Sequence, residues 1–200
     1  MKKITLIAFV LFIGLVKSQA QVKVSPGLRG GLNLSTLTNI DYNRSKTDFY
    51  IGGLVDIKFN RYFSLQPEIT YSRQGDEGRE YFGNGNSYRY VNYELNYLTL
   101  GAVAKYHFGG KGFHVLAGPS LDIKVGDNYI NSSPEGFDLA IVGGVGYTLP
   151  NGLTFEARIK QGMIDIYGYD GIDNNNDYYY DDVILNQVFQ IGISYTFKVK

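Results

Sequence analysis

The chain has 200 residues, with 19 Lys+Arg against 19 Asp+Glu, no Cys, 25 Gly, 18 Tyr and 12 Phe. That length suits one domain. The lack of Cys excludes disulfide scaffolds, thiolate metal sites, Cys nucleophiles and a lipidated N-terminal Cys, and the balanced charge argues against a nucleic-acid binder. Abundant Tyr, Phe and Gly with sparse Lys and Glu favour strands over long soluble helices.

Residues 1–20 read as a signal peptide. Lys2 and Lys3 precede an apolar run from Ile4 to Val16, and Ser18-Gln19-Ala20 offers small residues at a cleavage site. The run is shorter than the ~20 residues a spanning helix needs. Residues 21–200 then form the mature domain, with a net charge of −3 once Lys2, Lys3 and Lys17 are removed.

Past residue 21 the hydrophobic pattern has period two, which predicts strands. Eight segments follow in order. The first sets Leu28, Gly30, Leu32 and Leu34 against Arg29, Gly31 and Asn33. The second sets Phe49, Ile51, Val55 and Ile57 against Tyr50, Leu54, Asp56 and Lys58. The third sets Phe63, Leu65, Ile69 and Tyr71 against Ser64, Gln66, Glu68 and Thr70. The fourth sets Leu98, Leu100, Ala102 and Tyr106 against Tyr97, Thr99, Val103 and Lys105.

The fifth sets Phe113, Val115, Leu121 and Ile123 against His114, Leu116, Asp122 and Lys124. The sixth sets Phe137, Leu139, Ile141 and Tyr147 against Asp138, Ala140, Val142 and Gly144. The seventh sets Leu153, Phe155 and Ile159 against Thr154, Glu156, Arg158 and Lys160, with a bulge expected near Gln161 and Gly162. The eighth sets Phe189, Ile191, Ile193 and Tyr195 against Gln190, Gly192 and Ser194. Pro67 and Pro119 fall inside strands, where a local bulge is one way to seat a proline.

Connections alternate in length. Asn60-Arg61, Gly109 to Gly112 and Pro150 to Gly152 are tight turns, while Ser35 to Asp48, Gly75 to Asn92, Asp127 to Gly136 and Gly168 to Ile184 are long and polar. This predicts an all-β fold, an eight-stranded antiparallel up-and-down transmembrane β-barrel of the outer membrane with both termini periplasmic. The apolar faces carry no charge through the strand cores. Aromatics gather at the strand ends. Tyr62, Phe63, Tyr106, Phe108, Phe113, Tyr147, Phe155, Tyr195 and Phe197 would ring one side; Phe49, Tyr71, Tyr93, Tyr129, Phe137 and Tyr167 would mark the other. The polar face carries Arg29, Asp56, Lys58, Glu68, Lys105, Asp122, Lys124, Glu156, Arg158 and Lys160. In so narrow a barrel these predict a lumen plugged by an ion-pair network.

The opening Leu28-Arg29-Gly30-Gly31-Leu32-Asn33-Leu34-Ser35, Leu65-Gln66-Pro67-Glu68, Ala117-Gly118-Pro119, Gly143-Gly144-Val145-Gly146-Tyr147 and the closing Gly192-Ile193-Ser194-Tyr195-Thr196-Phe197 carry a resemblance. Over essentially the whole mature chain it resembles the PorT-like outer-membrane β-barrel domain family of Bacteroidota. The resemblance implies an outer-membrane protein and no particular activity. Gln190, Gly192, Tyr195 and Phe197 also resemble the last-strand signal read by the barrel assembly machinery, although Lys198-Val199-Lys200 follow the final aromatic.

Few residues point to chemistry. His107 and His114 flank one turn and could begin a metal site, but no third ligand stands at a fixed spacing. They sit at the end opposite to where a lipid-modifying barrel enzyme would need them. Asp170, Asp173, Asp177, Asp181 and Asp182, among Asn174 to Asn176 and Tyr178 to Tyr180, form an acidic loop. Such oxygens suit Ca²⁺, though the spacing is not that of an EF-hand and a solvated loop explains them as well. Gly143-Gly144-Val145-Gly146 lacks the following Lys and helix of a phosphate loop.

The resulting expectation is a non-enzymatic, cofactor-free outer-membrane barrel with a structural or interaction role through its loops. Its partners would be outer-membrane lipid, the barrel assembly machinery and a surface or envelope protein. A role accessory to envelope transport or secretion fits that picture. The alternatives are a small-solute or ion pore and a soluble lipocalin-like carrier, whose apolar faces would point inward.

Overall fold

The computed structural model describes residues 22–39, 44–82, 87–129, 134–166 and 183–197. The expected signal peptide, Tyr167 and the acidic loop with Asp170, Asp173, Asp177, Asp181 and Asp182 lie outside them. Eight strands follow in chain order: β1 Lys23–Leu37, β2 Arg44–Lys58, β3 Phe63–Phe82, β4 Ser87–His107, β5 Phe113–Asp127, β6 Phe137–Thr148, β7 Leu153–Gly162 and β8 Asn186–Thr196. Each pairs antiparallel with the next, and β1 pairs with both β2 and β8, so the sheet closes on itself. Closure removes both sheet edges.

One end of the barrel carries the tight turns. Asn60 Oδ1 accepts the N–H groups of Tyr62 and Phe63 at 2.7 and 2.9 Å, and Asn151 Oδ1 accepts that of Leu153 at 3.0 Å. These side chains mimic a backbone turn. Gly109 (φ 61°) and Gly152 (φ 96°) take the left-handed backbone that the β4–β5 and β6–β7 turns require.

The opposite, loop end differs from the sequence expectation. The stretch Gly75 to Asn92 is mostly strand: β3 and β4 stay in register from Phe63·Tyr106 out to Phe82·Ser87. Among the described residues β3 pairs beyond Glu77 with β4 alone, so this hairpin outgrows the barrel wall. Much of Ser35 to Asp48 is likewise strand, because β2 begins at Arg44.

Neither proline sits in a bulge. The β2–β3 ladder keeps its register from Leu54·Glu68 to Ile57·Leu65 across Pro67, and the β4–β5 ladder does so from Gly101·Ser120 to Ala104·Ala117 across Pro119. A proline removes one donor, and the ladder on its other flank remains continuous. Register shifts occur instead between Ser45 and Tyr50 on β2 and at Asn96/Tyr97 on β4. The bulge expected on β7 is also absent, since β7 pairs without a slip to Gly162. There Asp138 Oδ1 accepts the N–H groups of Met163 and Ile164, at 3.2 and 3.1 Å, and turns the chain off the wall.

Alternation sorts the two faces. Leu28 and Ile51 are about 60% exposed on the outside (60% and 61%), whereas Arg29 and Arg158 keep 4% and 1% inside. A ligand carrier would have the reverse arrangement, so that alternative is overturned. At the turn end the outward rings form a near-continuous series, with Phe63–Tyr106, Tyr106–Phe108 and Phe108–Phe113 centroids 5.1, 5.0 and 5.5 Å apart. At the loop end Phe49 and Tyr71 meet at 6.2 Å. Tyr129 departs from the expected girdle: it packs against the buried apolar cluster inside the barrel.

Candidate functional site: the charged barrel interior

The inward side chains of β1 mark four layers from the turn end to the loop end. Ser25 lines a mouth cavity, Arg29 an ionic layer and Asn33 an amide layer, and Leu37 belongs to an apolar cluster.

The ionic layer is one connected chain. Arg29 Nη1 binds Glu68 Oε1 on β3. Arg158 on β7 reaches the same oxygen with Nη1 at 2.8 Å and clasps Glu156 Oε2 with Nη2 at 2.7 Å and Nε at 3.1 Å. Lys105 Nζ on β4 donates to Glu156 Oε1 at 2.6 Å. Gln66 adds a hydrogen bond to Glu68 Oε2 at 2.9 Å. β1, β3, β4 and β7 are thus tied across the lumen rather than along the wall.

All five charged groups are buried, so each depends on its partner for the solvation it lost. The shared carboxylates are what allow three cations to sit so close together. The Arg29 guanidinium also lies 4.8 Å from the Tyr50 ring centre, a cation–π contact. Tyr50 fits because Gly192 faces it: a Cβ there would stand 2.0 Å from the Tyr50 hydroxyl.

The remaining sequence-flagged charges do not join this chain through direct contacts. Lys160 binds Asp122, which also accepts the Thr99 hydroxyl at 2.6 Å. Lys58 lies 3.6 Å from Asp56. Lys124 is held near the loop end by Asp127 at 2.9 Å and the Pro134 carbonyl at 2.5 Å. Of the last-strand set, Gln190 and Gly192 point inward, while Tyr195 and Phe197 are outward rings 5.3 Å apart.

Sequence reasoning missed two groups. The amide layer links Gln190 Nε2 to Asn33 Oδ1 at 2.8 Å, Asn33 Nδ2 to Ser72 Oγ at 2.9 Å, Gln74 Nε2 to Ser72 Oγ at 2.9 Å and Asn186 Nδ2 to Gln74 Oε1 at 2.5 Å. A second ionic cluster joins Lys46 to Asp48 at 2.6 Å and Arg73 to Glu94 at 2.5 Å, with Asp48 also 3.4 Å from Arg73. Above the amides, Leu37, Leu95, Tyr97, Ile166 and Ile184 pack as an apolar cluster.

His107 and His114 are cross-strand partners with ring centres 4.9 Å apart. His107 Nε2 lies 3.4 Å from Ser64 Oγ, and His114 Nε2 lies 3.6 Å from Glu156. No cluster of three or more His, Asp or Glu side chains suited to a metal ion forms among the described residues.

Comparison with solved structures shows the same fold. Neisserial surface protein A matches with a TM-score of 0.51 and 12% identity, over 87% of this chain and 97% of that one. The attachment invasion locus protein Ail of Yersinia pestis, solved in complex with the heparin analogue sucrose octasulfate, matches with a TM-score of 0.50 and 11% identity, over 88% of this chain and 99% of that one. No curated protein sequence matches the chain. Residues 19–168 match the family model described as an outer membrane protein beta-barrel domain. The closed eight-stranded ring, its apolar exterior and this match over most of the chain together make the protein a member of the outer-membrane β-barrel domain family.

Proposed function

We propose that the protein is a closed, non-conducting and non-enzymatic outer-membrane barrel that works as an interaction protein, presenting its loop end to the cell exterior. The observation that carries this reading is the chain Arg29–Glu68–Arg158–Glu156–Lys105, which fills the lumen from wall to wall beneath an amide layer and an apolar cluster. A pore needs a wet path, and a buried, charge-paired layer that spans the lumen opposes one. The overgrown β3–β4 hairpin supplies the interaction element. Past Glu77 and Leu95 its outer edges pair with no other strand among the described residues, and Tyr88 is half-exposed on it. A projecting hairpin and an exposed tyrosine suit protein recognition. The PorT-like resemblance fits an envelope partner, with a role accessory to transport or secretion. Gln190, Gly192, Tyr195 and Phe197 would be read by the barrel assembly machinery.

In this reading the turn end and both termini face the periplasm. The cysteine-free sequence makes the test direct. Tyr88→Cys should be labelled on intact cells by a membrane-impermeant maleimide, and Lys111→Cys only after the outer membrane is permeabilised. The reverse pattern would overturn the orientation and the surface role with it.

A further inference from the structure

Inside the barrel Arg29, Lys105, Arg158 and Lys160 all find carboxylates. The turn-end mouth breaks this pattern. A cavity of about 350 Å³ opens there, lined by Lys23, Lys58, Arg61, Lys111, His107 and Ser25 among others, with no Asp or Glu among the described residues of its lining. Lys23, Arg61 and Lys111 have no carboxylate within ion-pair distance among the described residues. Among the described residues Lys58 pairs only with Asp56, at 3.6 Å, and Asp56 is not one of the lining residues.

We propose that this mouth is an oxyanion site that takes a small phosphate-bearing ligand through Lys23, Lys58, Arg61 and Lys111. The four cations come from β1, the β2–β3 turn region and the β4–β5 turn, so they converge on one space from different directions. Among the four only Lys58 has a carboxylate partner, so the cations repel one another, and a polyvalent oxyanion relieves them together. The guanidinium of Arg61 lies 4.7 Å from the Tyr62 ring centre, which restrains it for two-point contact with phosphate oxygens. The buried Ser25 side chain adds a neutral polar group to the wall. The cavity's size suits a small phosphate compound or a lipid headgroup. The site does not depend on which membrane face the turn end occupies.

The test uses the full mature protein, folded in a maltoside detergent and titrated calorimetrically. The probes are inorganic pyrophosphate and short-chain phosphatidylglycerol, with short-chain phosphatidylcholine as the blank. Saturable binding of pyrophosphate identifies a free phosphate compound as the source. Saturable binding of phosphatidylglycerol alone identifies a headgroup. In either case Lys58→Gln/Arg61→Gln/Lys111→Gln should weaken binding by about tenfold or more, and Arg44→Gln at the other end should not. Raised salt should weaken it further. Should the triple variant fail to fold, shown by an unboiled sample running on a gel no faster than a boiled one, Lys111→Gln alone, on an exposed turn, should still weaken binding by about threefold. Absence of saturable binding to either anion, or equal affinity in parent and variants, would overturn the site.

Discussion

Arg158 on β7 and Glu68 on β3 meet across the lumen, with Nη1 2.8 Å from Oε1. They stand 90 residues apart in sequence and on strands that are not neighbours. The contact therefore fixes the distance between facing walls, which the backbone ladders alone do not.

Removing one member of such a buried pair leaves the other uncompensated. Glu68→Ala leaves Arg158 with Glu156 and strands the Nη1 groups of both arginines. The expected loss is about 3–5 kcal/mol of unfolding free energy. Urea titration of the protein in vesicles should show a lower midpoint, and an unchanged midpoint would contradict the network's structural role.

Gly192→Ala tests packing in the last strand separately from any assembly signal. Its Cβ would lie 2.0 Å from the Tyr50 hydroxyl and 2.5 Å from the Gly30 carbonyl oxygen. Overpacking of this kind costs about 1–3 kcal/mol. Tyr50→Phe in the same chain should restore part of that in vitro, because the nearest atom is gone. No recovery in the double variant would place the strain on the backbone instead.

Asp138→Ala should loosen the point where the chain leaves β7. The N–H of Ile164 loses its carboxylate acceptor, at a cost of about 1–2 kcal/mol, while Met163 N–H keeps the Leu139 carbonyl at 2.8 Å. Hydrogen exchange at Ile164 should accelerate while Met163 and the β1 amides stay protected. Uniform protection in the variant would show that Asp138 does not hold this corner.

Ile51→Arg distinguishes lipid from water on the outer face. Ile51 points outward from the middle of β2. Facing water, the change would be nearly neutral; facing the bilayer midplane, it should cost about 2–4 kcal/mol. Equal urea midpoints for parent and variant in vesicles would contradict the membrane placement of this belt.

Much of this architecture was legible because period-two alternation survives through every strand core. Arg29, Glu68, Glu156, Arg158 and Lys105 were assigned inward on that basis, and it is the alternation that brings them together. Their partners were not legible, since pairing across a lumen depends on register between distant strands. Lys58 and Lys124 share the inward side yet pair locally, because they lie near the two ends. The Lys46–Asp48–Arg73–Glu94 cluster was hidden because Lys46 and Asp48 fall in a polar stretch that reads as loop, whereas β2 begins at Arg44. Asn33, Gln74, Asn186 and Gln190 carry no charge to draw attention, and the bonds of Asn186 and Gln190 appear only once β8 closes on β1. The β3–β4 extension read as loop because its composition is polar. A strand that outgrows the wall no longer needs an apolar face.

In the proposed reading the ionic chain and the layers above it close the barrel, and planar-bilayer recording of the purified, folded protein can overturn that in one step. Incorporation should give a flat baseline with no reproducible conductance steps across applied voltages. Stable, uniform steps from the parent protein would mean that a continuous water path passes Arg158 and Glu68, and the closed-barrel account would fail.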